Sequence, residues 1–289
     1  EDARATYLNV IAAVNRNDAG VILLCAPSDV DDLNSRLPEN ARVLIVPASF
    51  NDTWMRDYGF ITCKDSEGNG SPVEFRFNGW GNKFNAAEDN LANQRYLASM
   101  CKSVLRSSPI VTEGGALEID EDGHLLSTAQ CLLNPERNGD MSLSAYEDAF
   151  KDMLGCSKVT ILQHGHLEGD DTDGHIDTLV RFTPNKGLVI QACNNRPHDS
   201  HYEGLKALCD ECALELPEHA QFHLPLPYIE NEEGDRLPAS YANYLICNNA
   251  ILLPVYGEHE DAEAIQVVQK AHPNHIVEPI DCSVLIKQY

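Results

Sequence analysis

The sequence GHLEGDDTDGHIDTLVRF occupies positions 165–182, and the interpretation of the whole fold depends on it. Its first part is a loop punctuated by glycines that carries four carboxylates and then His175. Its second part, residues 176–182, is apolar and predicts a buried strand. A loop that continues into a core strand holds its side chains on a rigid element, which is what a catalytic site requires. His175 and Asp177 are therefore the first candidate functional residues.

The same order of elements recurs along the chain. A strand, a polar loop, a hairpin and a helix follow one another with a period of about 50–70 residues. Alternating helices and strands predict the α/β class, and a repeated unit that leaves one hydrophobic face open predicts a propeller or an array. In a radial arrangement, the polar residues after the first long strand of each unit would converge on one end of the central axis. These residues are Asp57, Glu113, His175 and Asn243.

Helices are predicted between the strands. The apolar spacing predicts a helix over residues 87–105. Ser142 is expected to cap a helix that runs to Leu154, and a third helix is expected from Asp261 to Ala271.

The composition limits the classes of partner. The apolar share of 43% allows a substantial core, and 289 residues are enough for one large domain or two small ones. The formal charge of -24, from 21 Lys+Arg and 45 Asp+Glu, repels nucleic acid and anionic lipid and favours small cationic ligands. The chain contains no apolar run near the ~18 residues of a membrane span and opens with no signal-peptide pattern. Most of the ten cysteines lie in apolar runs, as buried thiols of a cytoplasmic protein do.

The candidate residues suit a planar cation. Asp57 and Asp177 could together grip a guanidinium, which presents several N–H donors in fixed directions. His175 titrates near neutral pH and could give a proton to a leaving amine. Trp54 offers a flat wall on which a guanidinium can stack. From the residues alone, Asp57 could instead pair with Arg56, and His175 could be an ordinary loop histidine.

Five segments resemble, in order, the motifs of the agmatine deiminase and bacterial peptidylarginine deiminase family. They are WMRDYG at 54–59, FNGWGNKF at 77–84, EGGA at 113–116, DDTDGHID at 170–177 and ASYANY at 239–244. The resemblance implies a pentein-type α/β propeller of five ββαβ modules that forms a single domain over residues 1–289 and is incomplete at both termini of this chain. It also implies hydrolysis of a guanidino group to a ureido group with release of ammonia, without a metal or a cofactor.

The resemblance also assigns roles to individual residues. In that family a cysteine thiolate attacks the guanidinium carbon and forms a thiouronium intermediate. At the matching positions, Asp57 and Asp177 would hold the guanidinium nitrogens, and His175 would protonate the departing ammonia and then activate water. Glu113 matches a glutamate that is expected to orient other groups rather than to carry a proton. The residues expected to line the substrate site are Trp54, Asn243, Glu113 and Asp173, where Asp173 either recognises a distal amine or holds the His175 loop.

Two parts of the family pattern are not found in residues 1–289. The family nucleophile lies near the C-terminus in a glycine-rich stretch that ends in His-Cys, and a tryptophan-rich segment opens the family's chains. We expect the sequence to be a trimmed form of a longer enzyme rather than a catalytically dead relative. Cys282 is the thiol of the last module, but it precedes the expected position of the nucleophile.

Agmatine is the expected substrate, because an acidic mouth suits a dication. Its products would be ammonia and N-carbamoylputrescine, a step of putrescine biosynthesis. Three alternatives remain open: a peptidylarginine deiminase of the same family, a non-enzymatic binder of cationic ligands, and a metal-dependent hydrolase that uses His164, His166, Asp173, His175 and Asp177. The expected partners are a small cationic guanidino substrate and a second copy of the chain in a homo-oligomer, but neither nucleic acid nor a membrane.

Overall fold

Five small sheets organise the chain. The computed structural model describes residues 3–64 and 66–288. One sheet has two strands, and each of the other four has three. In chain order the strands are β1 Val21–Cys25, β2 Val43–Pro47, β3 Ile61–Lys64, β4 Gly70–Arg76, β5 Arg106–Val111, β6 Glu118–Ile119, β7 His124–Thr128, β8 Lys158–Leu162, β9 Val180–Thr183, β10 Gly187–Gln191, β11 Ala220–Leu224, β12 Leu245–Cys247, β13 Ala250–Val255 and β14 Ile276–Asp281.

The helices lie between these strands and differ widely in length. They are α1 Arg4–Arg16, α2 Val30–Arg36, α3 Met55–Tyr58, α4 Gly79–Asn82, α5 Ala129–Leu132, α6 Pro135–Asn138, α7 Leu143–Leu154, α8 Tyr202–Glu215 and α9 Asp261–Ala271. The predicted helices at α7 and α9 are confirmed, and the Ser142 hydroxyl accepts the expected capping bond from the amide of Ala145. Within the described residues, no helix is both long enough and apolar enough to cross a membrane.

The three-stranded sheets share one topology. In each, the first two strands form an antiparallel hairpin, and the third strand is parallel to the second. A parallel pair needs a crossover connection, which α7, α8 and α9 supply in three of the four sheets. The two-stranded sheet pairs β1 with β2 in parallel across α2, which is the second half of the same unit. The α/β class expected from the sequence is confirmed, together with a repeated ββαβ order.

The largest core cluster surrounds the hairpin that follows the His175 loop. Every residue of β9 and β10 is buried. Leu205 and Leu208 of α8 pack against this hairpin together with Leu179 and Leu188. The loop from Gly165 is therefore anchored on a fully buried hairpin, as the opening sequence predicts.

The predicted helix over residues 87–105 is wrong. The structure has short 3-10 and π turns between Asp89 and Met100 instead. Polar side chains explain the difference, because they bond to neighbouring loops and not along a helix. The Asp89 carboxylate accepts the amides of Asn51 and Asp52, and the Asn93 amide group bonds to Phe60, Tyr58 and Glu74.

The predicted strand over residues 176–182 begins later than expected. Residues Ile176–Thr178 form a 3-10 turn, and the strand starts at Val180. The turn is closed by bonds from the Thr178 hydroxyl to the His175 carbonyl and from the Leu179 amide to the Ile176 carbonyl. Asp177 consequently lies in the turn and not on the strand.

A buried histidine makes the fold sensitive to acid. His272 is 1% exposed, and its Nε2 lies 2.9 Å from the Tyr244 hydroxyl. Burial, with the nearby charges of His275 and Arg181, lowers the pKa of His272 to about 4. Neutral His272 therefore stabilises the fold fully above the unfolded pKa of about 6.5, and this stability is lost as the pH falls through about 4.

We expect His272 to account for about 3 kcal/mol of the acid-induced loss in unfolding free energy. In urea titrations between pH 7.5 and pH 4, the variant His272→Phe should show a correspondingly smaller loss than the unmodified protein. His166→Phe replaces an exposed histidine and serves as the control. Equal pH dependence in His272→Phe and the unmodified protein would contradict this assignment.

Candidate active site

The candidate residues all lie in loops that join one sheet to the next. Each of these loops leaves the last strand of a sheet and enters the first strand of the following sheet. The β2–β3 loop carries Trp54 and Asp57, the β5–β6 loop Glu113, the β8–β9 loop Asp173, His175 and Asp177, and the β11–β12 loop Asn243.

Asp57 is held by two donors from different parts of the chain. The amide of Gly115 donates to its Oδ1 at 3.1 Å, and the indole Nε1 of Trp80 donates to its Oδ2 at 2.9 Å. Its side chain is 10% exposed. These bonds fix the plane of the carboxylate while leaving further lone pairs for a ligand.

The turn that carries Trp80 has an unusual backbone. Four consecutive residues, Gly79 to Asn82, have positive φ, and two of them are not glycine. At Gly79 only glycine fits, because a Cβ would lie 2.1 Å from the carbonyl oxygen of Phe84. The φ of 56° at Trp80 is strained for an aromatic residue. The indole bond to Asp57 is the contact that this backbone makes possible.

Three candidate side chains meet at Gly115. A Cβ placed on Gly115 would lie 2.5 Å from His175 Nδ1, 2.7 Å from Asp57 Oδ1 and 2.9 Å from Asp177 Oδ2. The two aspartates and the histidine, which are far apart in sequence, are therefore neighbours around one point. The absence of a side chain at residue 115 is what allows them to approach so closely.

The carboxyl groups of Asp57 and Asp177 both lie at Gly115 and are largely shielded from solvent. Burial raises the pKa of Asp57 and raises that of Asp177 to about 6, and the negative charge of Asp57 adds to the effect on Asp177. The positive charge of His175 acts in the opposite direction on both carboxyls. A cation bound between Asp57 and Asp177 would favour the ionised form of both.

His175 lies between two acidic groups. Its Nδ1 is 3.6 Å from Asp57 Oδ1, and its Nε2 is 3.7 Å from Glu113 Oε2. Burial lowers the pKa of His175, but the Asp57 carboxylate, Cys131 and Glu113 outweigh burial, so the pKa is raised well above its usual value. Among the described residues, none is close enough to form a hydrogen bond with Nε2. The surroundings of His175 therefore favour its protonated form, which can act as an acid.

Glu113 is fully buried and paired with Arg137. Both of its oxygens accept from Arg137 Nε, at 3.0 and 3.1 Å, and neither side chain is exposed. Burial raises the pKa of Glu113, but the nearby His175 imidazole and the charge of Arg137 outweigh burial and lower it. Glu113 is thus a buried carboxylate behind His175, as an orienting group would be.

Asp173 is occupied by donors from the protein. Its Oδ1 accepts from Lys83 at 2.8 Å, and its Oδ2 accepts from Arg137 at 2.7 Å and from Asn134 at 2.9 Å. Its φ of 66° places it in the left-handed region within the loop before His175. These bonds favour the role of holding the His175 loop over recognition of a distal amine.

The contacts of Trp54 and Asn243 do not by themselves assign a role to either residue. Trp54 is half-buried and packs against the aromatic cluster that contains Trp80. Asn243 is exposed, and the carbonyls on either side of it, Ala242 and Tyr244, both accept from Arg181 Nη1. Both residues lie in loops of the series described above, and their contact with a substrate stays a prediction.

The residues of the metal-dependent alternative do not form one group. His164 is exposed and bonds to Glu211, and His166 is also exposed. Among residues 3–64 and 66–288, the acidic, histidine and cysteine clusters compact enough for a metal are Glu113 with Cys131 and His175, and residues 258–260. In the first cluster, Arg137 already occupies Glu113, which opposes a second cation there.

Three residues near His175 carry no sequence signal for their role. The bonds of Trp80 to Asp57 and of Arg137 to Glu113 depend on tertiary contacts between distant segments. Cys131 looks like a core residue, and its thiol lies 3.9 Å from Glu113 Oε2. The Asn134-Pro135 pair could have indicated the start of α6, but nothing local shows that Arg137 points inward.

Comparisons with known proteins place the fold among the deiminases. The chain belongs to the Porphyromonas-type peptidyl-arginine deiminase family, whose model matches residues 1–289. An agmatine deiminase from Medicago truncatula is 31% identical, over 97% of this chain and 83% of the relative.

Solved structures agree with this membership. A Porphyromonas gingivalis protein provisionally named an arginine deiminase has 37% identity and a TM-score of 0.92, and the match covers 100% of this chain and 86% of that one. A variant of the C. jejuni agmatine deiminase with substrate bound, in which a cysteine is replaced by serine, has 30% identity and a TM-score of 0.88, over 98% of this chain and 83% of that one.

Gly115→Ala should abolish or strongly reduce deiminase activity, by ~10²-fold or more in kcat/KM, because the new methyl group pushes apart the three side chains around it. The measurement is ammonia release by the purified full-length protein, with thermal unfolding to show that the fold is retained. Gly204→Ala is the matched control, because its Cβ would meet nothing within 4 Å. Activity close to normal in Gly115→Ala would show that the three groups do not act together.

Proposed function

We propose that the protein is a guanidino-group deiminase that hydrolyses agmatine to N-carbamoylputrescine and ammonia. The convergence of Asp57 Oδ1, Asp177 Oδ2 and His175 Nδ1 around Gly115 carries this proposal. It supplies two carboxylates for a planar cation and a proton donor beside them. Family membership adds the reaction class.

The guanidinium is the part of the substrate that the two aspartates bind. Each carboxylate can accept N–H donors from a different guanidinium nitrogen, and the charge-assisted bonds compensate for the loss of water around both partners. The bound cation also holds the two carboxylates in their ionised forms. The site therefore binds best the group on which it acts.

The first chemical step forms a covalent intermediate. A cysteine thiolate attacks the guanidinium carbon, the bond from that carbon to one terminal nitrogen breaks, and His175 gives its proton to the departing ammonia. The carbon is left bonded to sulfur as a thiouronium. In the second step, neutral His175 takes a proton from water, the resulting hydroxide attacks the same carbon, the thiolate leaves, and the proton on the new oxygen passes to solvent. The product is a ureido group.

We assign the attacking cysteine to the loop that follows β14. The four preceding loops of the series carry Asp57, Glu113, His175 and Asn243, and the β14 loop is the fifth. Cys282 opens this loop, but burial raises its pKa to about 11 and it packs into the core. Cys131 is fully buried beside Glu113, and burial raises its pKa as well. We therefore propose that the nucleophile is a cysteine of the full-length protein beyond residue 289.

The proposal includes the arrangement of the sheets and the cellular setting of the protein. Four three-stranded sheets of one ββαβ order and one two-stranded sheet, with three of the connecting loops meeting at Gly115, support a five-module propeller that forms a single domain over residues 1–289. All ten cysteines are free thiols, which supports a reducing, cytoplasmic setting.

Agmatine is the preferred substrate because the formal charge of -24 favours a dication. The relatives named agmatine deiminase support the same choice. A peptidylarginine substrate is the second candidate, and the description of the matching family favours it.

Parallel assays of the full-length protein with agmatine, free arginine and an arginyl peptide distinguish the candidates. We expect ammonia and N-carbamoylputrescine from agmatine, and full activity after exhaustive chelation. His175→Ala should abolish turnover in both steps. Turnover of the peptide alone would replace agmatine with peptidylarginine, and ammonia from none of the three compounds would refute a deiminase.

The activity should fall in mild acid because guanidinium binding requires ionised Asp177. The pKa of about 6 means that kcat/KM rises with pH up to about 6 and is level from there to pH 8. Below pH 6 the loss should be about tenfold per pH unit. Agmatine keeps its charge over this range, so the titrating group belongs to the protein.

Initial rates at low substrate concentration between pH 4.5 and pH 8 measure this profile. Asp177→Asn should be far less active, and its residual activity should lack the acid limb. An acid limb of the same midpoint in Asp177→Asn would assign the titration to another group.

A further inference from the structure

Arg137 lies on the Nε2 side of His175, opposite the side that faces Gly115. Its side chain is completely buried. Every nitrogen of its guanidinium donates to the protein. The acceptors are both carboxylate oxygens of Glu113 from Nε, Asp173 Oδ2 at 2.7 Å and the Cys131 carbonyl at 3.4 Å from Nη1, and the Thr172 carbonyl at 3.0 Å from Nη2.

The surroundings of Arg137 fix its direction. It belongs to α6, where Pro135 occupies the first turn and the Asn134 side chain accepts from the amide of Glu136. The backbone of Gly81 passes close by, and a Cβ there would lie 3.6 Å from Arg137 Nη1. The guanidinium thus joins the Trp80 turn, the Glu113 loop and the His175 loop at one place.

Arg137 satisfies two requirements of His175 at once. The bonds from Arg137 Nε fix both oxygens of Glu113 and so hold the carboxylate in place behind the imidazole. The bonds to Thr172 and Asp173 also hold the backbone just before His175. The ring therefore has a charged partner behind it and a fixed attachment.

We propose that Arg137 is a positioning residue of the deiminase reaction: it fixes the ionised Glu113 and the loop before His175, so that Nδ1 of His175 faces Asp57 and Gly115. This inference rests on the proposed function. Arg137 acts through Glu113 and the loop, and it makes no contact with the substrate.

The proton affinity of His175 reports this arrangement. The groups that face the imidazole are Asp57 of α3, Glu113 of the β5–β6 loop, Cys131 of α5 and Asp177 of its own loop, and Arg137 is the cation that neutralises Glu113. If Arg137 is replaced by an uncharged residue, the net charge around His175 becomes more negative. His175 should then release its proton at higher pH, by about one unit.

The experiment is a nuclear magnetic resonance titration of full-length protein labelled with nitrogen-15 in histidine. The His175 signal is assigned by its loss in His175→Gln. We expect the titration midpoint to rise by about one pH unit in Arg137→Met and to change little in Arg137→Lys, which keeps the charge. Lys83→Met is the matched control, because it removes another cation from Asp173 without touching Glu113, and its midpoint should stay unchanged.

Steady-state kinetics provide the second readout. Arg137→Met should lower kcat by ~10²-fold with a much smaller change in KM, and its alkaline limit of kcat/KM should move with the His175 midpoint. An unchanged midpoint in folded Arg137→Met overturns the proposal. If Arg137→Met does not fold, Glu113→Gln is tested instead and should lower the His175 midpoint. An unchanged midpoint in Glu113→Gln also overturns the proposal. The titration requires no turnover, so failure of the deiminase activity and failure of this inference are separate results.

Discussion

Buried carboxylates that lie close together cannot all remain ionised unless cations compensate them, and this electrostatic constraint governs the site. Arg137 compensates Glu113 through a fully buried ion pair. In the described part of the chain, neither Asp57 nor Asp177 has an ion pair with lysine or arginine, and His175 is the nearest cation. The site is therefore short of positive charge at the point where its walls converge. A substrate that brings a delocalised cation supplies what the protein leaves out.

A second buried arginine, Arg181, also compensates a buried carboxylate, and it binds backbone carbonyls as well. Arg181 pairs with Glu118 of β6 and donates to the carbonyls of Ala242 and Tyr244, and its guanidinium lies 4.5 Å from the centre of the Tyr244 ring. One side chain thus joins three successive sheets near their connecting loops. Arg137 and Arg181 together explain how loops from separate repeats can hold a common geometry, because loops alone would move independently.

The sequence carries the repeat clearly, because apolar strands and polar loops alternate in a regular order. It also indicates Asp57, His175 and Asp177, because these residues follow strands at equivalent places. The contacts of Trp80, Gly115 and Arg137 could not be predicted in this way, since each depends on a segment more than 20 residues away. The helix predicted over residues 87–105 is wrong for the same reason. Aspartate and asparagine side chains there form hydrogen bonds with distant loops, and these bonds compete with a regular helix.

In the left-handed turn at Gly79–Asn82, a change at Trp80 that increases stability would weaken the proposed catalytic site. An aromatic residue with positive φ costs about 1–2 kcal/mol of backbone strain, and glycine at position 80 would relieve it. The same replacement would remove the indole donor from Asp57. A search for heat-resistant variants would therefore tend to select changes at Trp80 that loosen the catalytic carboxylate. Thermal tolerance alone is a misleading guide to improving this protein.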